Sequence, residues 1–200
     1  MLREFINRQN YPRSTDFNEH VGLMVNAFDG CVDFLRDPQR FPNNEINAVA
    51  TLMWRLIANK EIPVVLDQWG LPSLTFTVTC KGIEQTPMLI IPQDFIQQIE
   101  EDPAFQLGII AYMASQCRDF HCGKIKGNNS VEVNIRAQAF EAETLLILKE
   151  MAEKEGVDLT LNPLQLEYLK QFPIGLQSLP SEMAYSTPTY RPPPRDATSN

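Results

Sequence analysis

Only two histidines, His20 and His121, are available for proton transfer or metal binding in this chain of 200 residues. A hydrolytic triad or a Cys–His pair would have to use one of them, and neither stands in a nucleophile motif. Cys117 and His121 are four residues apart, a spacing that puts both on one face of a helix and suits zinc. A structural zinc site takes four donors, however, and no CxxC partner exists elsewhere. Cys122 would also point about 100 degrees away from His121 on a helix. Two ordinary thiols near a helix end are the favoured reading. Glycine-rich phosphate loops of the P-loop or dinucleotide kind are absent, and Gly127-Asn128-Asn129 reads as a turn. The sequence therefore leads to the expectation of no metal and no cofactor.

A second grouping is more suggestive: Ser115, Gln116, Asp119, Arg136, Glu141 and Glu143. As a polar pocket, its carboxylates could hold a hard cation or a basic ligand group. Alternatively, Asp119 pairs with Arg136 in an interior network that fixes helix packing. Arg136, Glu141 and Glu143 are also compatible with solvated charges on a helix face. The structural readings are favoured over the pocket.

The stretch 108–120, GIIAYMASQCRDF, resembles the active helix of zincin-type metallopeptidases, in which an HExxH motif follows such an apolar approach. The order of elements extends the resemblance. An apolar strand precedes at 87–91, and Ala139-Phe140-Glu141-Ala142-Glu143 looks like the helix that donates a third, acidic ligand. On this resemblance Ser115 and Asp119 stand where the two histidines would be, and Gln116 stands on the glutamate. Glu141 or Glu143 would be the third ligand. The chain departs from the family at the atoms that matter. A serine hydroxyl is a poor zinc donor, and an amide cannot take the proton of a metal-bound water. The resemblance thus implies a zincin-like fold from which the peptidase mechanism has been lost.

These residues must be positioned by helices whose punctuation is legible. Ser14 or Asp16 can cap a first helix carrying Phe17, Val21, Met24, Val25, Phe28, Val32 and Leu35, with Pro38 and Pro42 beyond it. Asn43 can cap a second, with Ile46, Val49, Leu52, Met53, Leu56 and Ile57 on one stripe, and Trp54 beside that stripe is expected in the core. The period then changes. Residues 62–66 are β-rich, Leu74, Phe76 and Val78 alternate with threonines, and Lys81-Gly82 suggests a turn into a third strand. Pro87 within it predicts an edge position. Asp102-Pro103 opens a helix that Gly123 ends, carrying Phe105, Ile109, Tyr112, Met113 and Phe120; Ser130 opens another towards Gly156, and Asn162-Pro163 a last one. Helices, then strands, then helices predict an α+β fold: a small antiparallel three-stranded sheet with about five flanking helices.

Composition sets the outer bounds. Hydrophobic residues are 44% and charged ones 21%, enough apolar material for one core over residues 1–172. A net charge of −8 without a Lys/Arg cluster argues against nucleic acid; Arg3, Arg8 and Arg13 read as spread, solvated charge. No apolar run approaches the roughly 20 residues of a membrane span, and the four cysteines fit no disulfide framework, so a cytoplasmic protein with free thiols is expected. Residues 173–200 are proline-rich and expected to be largely disordered. Within them Tyr190, Arg191, Pro192, Pro193, Pro194 and Arg195 have the composition that aromatic-lined grooves recognise, so a protein partner is expected there. Trp69, in a turn, is a further candidate contact. The functional expectation is a non-catalytic binding or adaptor protein, with a divergent metallohydrolase-like domain as the alternative.

Overall fold

The computed structural model describes residues 2–12, 16–41, 45–68, 70–81, 84–125, 131–159 and 161. Trp69, the caps Ser14, Asn43 and Ser130, the turn at 127–129, the helix expected after Pro163 and the tail with residues 190–195 lie outside these. The described chain runs α1 (Leu2–Arg8), α2 (Phe17–Arg36), α3 (Glu45–Ala58), β1 (Val64–Leu66), β2 (Thr75–Lys81), β3 (Glu84–Ile91), α4 (Phe95–Glu101), α5 (Pro103–His121) and α6 (Val131–Glu155). Six helices around one small sheet make the fold α+β.

Local chemistry sets the helix ends. The Asp16 carboxylate accepts from the Glu19 amide at 3.0 Å and caps α2. Its other end stops at Asp37, before Pro38, which lacks the amide needed to continue. Asp102 accepts from Phe105 N at 2.9 Å, with Pro103 in the first turn of α5. Gly123 terminates that helix at φ 67°, a left-handed conformation that costs glycine little. The Lys124 amide then reaches back to Asp119 O at 2.8 Å, the hydrogen bond of a Schellman stop.

The sheet corrects one expectation and refines another. Its order is β1-β3-β2, and β1 runs parallel to β3, so the sheet is mixed rather than antiparallel. The physical reason is Asp67. Its buried carboxylate accepts from Leu71 N at 2.6 Å and its carbonyl from Gln93 Nε2 at 3.0 Å, turning the chain away before β2. The β2–β3 hairpin then returns with β3 in the middle. Pro87 accordingly sits in the central strand, not at an edge. It is tolerated because β1 pairs only with Leu89, Ile90 and Ile91, so at Pro87 the strand has one neighbour, Val78.

The core is helical. Helix α5 packs against α2, α3, α4, α6 and β2 and is buried on nearly every side. Residues Phe5, Phe34 and Phe41 join α1 to α2, with ring centroids 4.5 and 6.0 Å apart. Gly108 lets α6 approach α5, because a Cβ there would lie 3.3 Å from Glu141 Cγ. Short α1 and α4 escape a periodicity reading. Each is seven residues with two buried apolar positions, Leu2 and Phe5 or Phe95 and Ile99. Helix α1 is fastened from outside: Glu155 at the end of α6 accepts from the Leu2 and Arg3 amides at 2.9 and 3.0 Å. Among the described residues no helix is long and apolar enough to cross a membrane.

Candidate functional site

The grouping on α5 and α6 becomes a packed interior network. Arg136 places Nε and Nη2 each 2.8 Å from Asp119 Oδ2. Arg118 donates from Nε to Asp119 Oδ1 at 3.2 Å and from Nη2 to Ser115 Oγ at 3.3 Å, with its Cζ 4.9 Å from the Phe140 ring centroid. Ser115 and Asp119 expose no surface. Gln116 belongs to a second group, donating to Tyr112 Oη at 3.3 Å and approaching Asn134 Oδ1 at 3.5 Å. Each buried charge here faces an opposite one, which is what a low-dielectric interior demands. Sequence reasoning missed Arg118, whose spacing of three residues from Ser115 within an apolar helix was the available signal.

Glu141 stands apart from that network. Glu143 is half-buried on α6. Glu141 is buried against Gly108, with 6% of the residue exposed, and makes no ion pair or hydrogen bond among the described residues. Burial alone pushes its carboxyl up to about 7. The cysteine–histidine trio is likewise dispersed in role. Cys117 is fully buried, which raises its thiol far above the usual range, and His121 Nδ1 lies 4.0 Å from Glu61 Oε2. Among the described residues no three His, Cys, Asp or Glu side chains are grouped to hold a metal ion.

An open site lies elsewhere, where α1, the end of α2 and α3 enclose a cleft of about 800 Å³. Four arginines line it, Arg8, Arg36, Arg40 and Arg55, with Tyr11, Phe34 and Trp54 and the carboxylates Glu4, Asp33 and Asp37. Helical spacing explains two of the pairs, and the turn after α2 brings the third together. Arg8 bonds Glu4 one turn back, Arg36 lies 3.4 Å from Asp33, and Arg40 lies 3.3 Å from Asp37. Two guanidiniums then lie over rings. The Arg36 Cζ is 4.1 Å from the Trp54 centroid, and the Arg40 Cζ is 4.5 Å from that of Phe34. Trp54 is therefore not core: it is 41% exposed, and the aliphatic residues beside it take the buried stripe.

Among the described residues Arg36 Nη1 and Arg40 Nε are buried without a hydrogen-bond partner, although Arg40 Nε keeps its ion pair with Asp37. A buried donor left unpaired costs about 1–3 kcal/mol, and more when charged. Arg55 is exposed and makes no ion pair among the described residues. Tyr11 stays a neutral phenol, its pKa raised to about 12 by burial and then by Cys31 and Glu100, and its hydroxyl donates to Gln9 Oε1 at 2.9 Å. Sequence reasoning saw only Arg8 of the four arginines, as spread charge. The repeat of Asp33–Arg36 and Asp37–Arg40 was the signal it left unused. Among known proteins the chain matches no family model, no curated protein and no solved structure.

Proposed function

We propose that the protein is a non-catalytic binding protein whose ligand site is the arginine-lined cleft between α1, α2 and α3. The observation that supports this reading is the cleft itself, large enough for a small molecule and lined by Arg8, Arg36, Arg40 and Arg55 beside the exposed Trp54. The guanidiniums lie over the Trp54 and Phe34 rings, contacts that restrict the two side chains before any ligand arrives. The buried state of Ser115 and Asp119 supports it too, since neither offers a face to a substrate.

Trp54 is the natural reporter, and Trp69→Phe leaves it as the sole tryptophan. Its fluorescence should respond saturably to at least one small anion among phosphate, phenyl phosphate, benzoate and citrate, and the response should be lost in Arg36→Ala. Silence towards all four would overturn the cleft as a ligand site. The adaptor half of the reading rests on the composition of residues 190–195. Removing residues 181–200 should leave the melting temperature unchanged and reduce partner capture; an unchanged set of partners would remove the tail from the proposal.

A hydrolase-like second reading keeps one supporting observation, the unpartnered and buried Glu141 beside α5. It requires stoichiometric metal in tag-free protein purified without chelator, read by elemental mass spectrometry and lost in Glu141→Ala. Metal-free, folded protein would end it.

A further inference from the structure

We infer that the free edge of β2 pairs with the same edge of a second copy of this chain, joining two three-stranded sheets into one. The direction of the edge's backbone groups follows from two hydrogen bonds on the other side of the sheet. Leu89 N donates to Pro63 O at 3.0 Å, and Ile91 O accepts from Asp67 N at 2.8 Å, so the odd-numbered groups of β3 face β1. Met88 and Ile90 then face β2 and exchange bonds with Thr77 and Thr75, their partners in the register. Phe76 and Val78 alternate with those two threonines. Their N–H and C=O groups point away from β3, where among the described residues nothing receives them. The backbone groups of Cys80 follow by the same alternation.

Native proteins blunt the edges of their sheets by shortness, charge, proline or a bulge. The opposite edge is short, since β1 has three residues. Strand β2 has none of these devices. It runs seven residues, carries no charge or proline from Thr75 to Cys80, and pairs with β3 without a bulge. A second copy fits this edge better than a free peptide does. Pairing with β3 already holds β2 extended, whereas a peptide must give up backbone freedom at every residue it pairs. The edge is also its own complement. Turned about a two-fold axis through Val78, it sets Phe76 against Cys80 and Val78 against Val78, so every outward residue meets an outward residue. The same register sets Thr77 against Thr79 on the face opposite Phe76, a favourable cross-strand pair. Such an interface closes at two copies.

Sedimentation velocity of the full chain in reducing buffer is the experiment. The wild type should pass from monomer to dimer as its concentration rises. Val78→Pro should weaken the dimer by about ten-fold or more, because each copy loses an N–H to its partner while the ladder to β3 keeps its bonds. Thr77→Lys/Thr79→Lys should also dissociate it, by setting like charges opposite each other twice. Thr77→Lys/Thr79→Glu should restore it, since each lysine then meets a glutamate. This charge series carries the test if Val78→Pro fails to melt cooperatively. A wild type that stays monomeric at every concentration would overturn the proposal; if it instead captures a labelled peptide with the sequence of residues 75–81, an extended segment takes the edge in place of a copy. A dimer left intact by Val78→Pro and by the double lysine would lie elsewhere on the molecule and overturn it too. Equal association of the two charge variants would overturn the register about Val78.

Discussion

Arg136 on α6 directs both Nε and Nη2 at a single oxygen of Asp119 on α5, each at 2.8 Å, where Asp119 has no exposed surface. Arg118 holds the other oxygen, so one carboxylate serves two buried guanidiniums. Asp119→Ala should therefore destabilise the fold by about 3–5 kcal/mol, because it strands both cations. Arg136→Met should cost less, roughly 1–3 kcal/mol, since Asp119 keeps Arg118. Urea unfolding of the two variants checks the order; equal losses would show that the two arginines do not share the carboxylate.

Glu141 gives a pH signature of known sign. Its carboxyl is raised by burial from 4.5 to about 7, so between those values the native state holds a proton that the unfolded chain has released. Stability is then full below about pH 4.5, falls as pH rises to about 7, and is level above. Glu141→Gln should flatten this slope and recover up to about 3 kcal/mol above pH 7. Chemical unfolding at pH 5, 6, 7 and 8 measures it, and an unchanged slope in the variant would assign the titration elsewhere.

Gly108 sets the spacing of α5 and α6. A methyl at this position would meet Glu141 Cγ at 3.3 Å and Leu145 Cγ at 3.5 Å. Gly108→Ala should shift stability by no more than about 1 kcal/mol, as helix propensity offsets the crowding. Gly108→Leu should lose about 1–3 kcal/mol by overpacking. Comparable melting temperatures for the two would show that the interface yields freely.

The Glu155 clamp should be separable from global stability. The Arg3 and Leu2 amides that donate to it lower its pKa to about 2. Its stabilising effect is present above the ordinary carboxylate range and lost as pH falls through about 2. Glu155→Ala should accelerate amide exchange across α1 while α5 stays protected. Unchanged exchange in α1 would mean that Leu2 and Phe5 hold the helix by packing alone.

Legibility followed the length of each physical signal. Helices α2, α3, α5 and α6 announce themselves through caps and apolar periodicity over 14 residues or more. Asp102-Pro103 and Gly123 were sufficient to delimit α5. Strand β2 was visible from Leu74, Phe76 and Val78. Helices α1 and α4 were not, because two apolar residues make no period. Sheet direction was equally hidden, since it depends on Asp67 contacts to Leu71 and Gln93 rather than on any strand's own residues. At the site level, the pairing of Asp119 with Arg136 was among the readings the sequence offered. The cleft was not, because Arg8, Arg36 and Arg55 are scattered along the chain and only folding brings them to one wall.

The clasp between α1 and Glu155 also imposes an order of events during synthesis. Leu2 and Arg3 precede their acceptor by 153 and 152 positions. At about 5–20 residues per second, α1 has left the ribosome roughly 8–30 s before the carboxylate that fastens it exists. A nascent chain halted before residue 155 therefore has α1 with only the packing of Leu2 and Phe5 to seat it, and without its clasp.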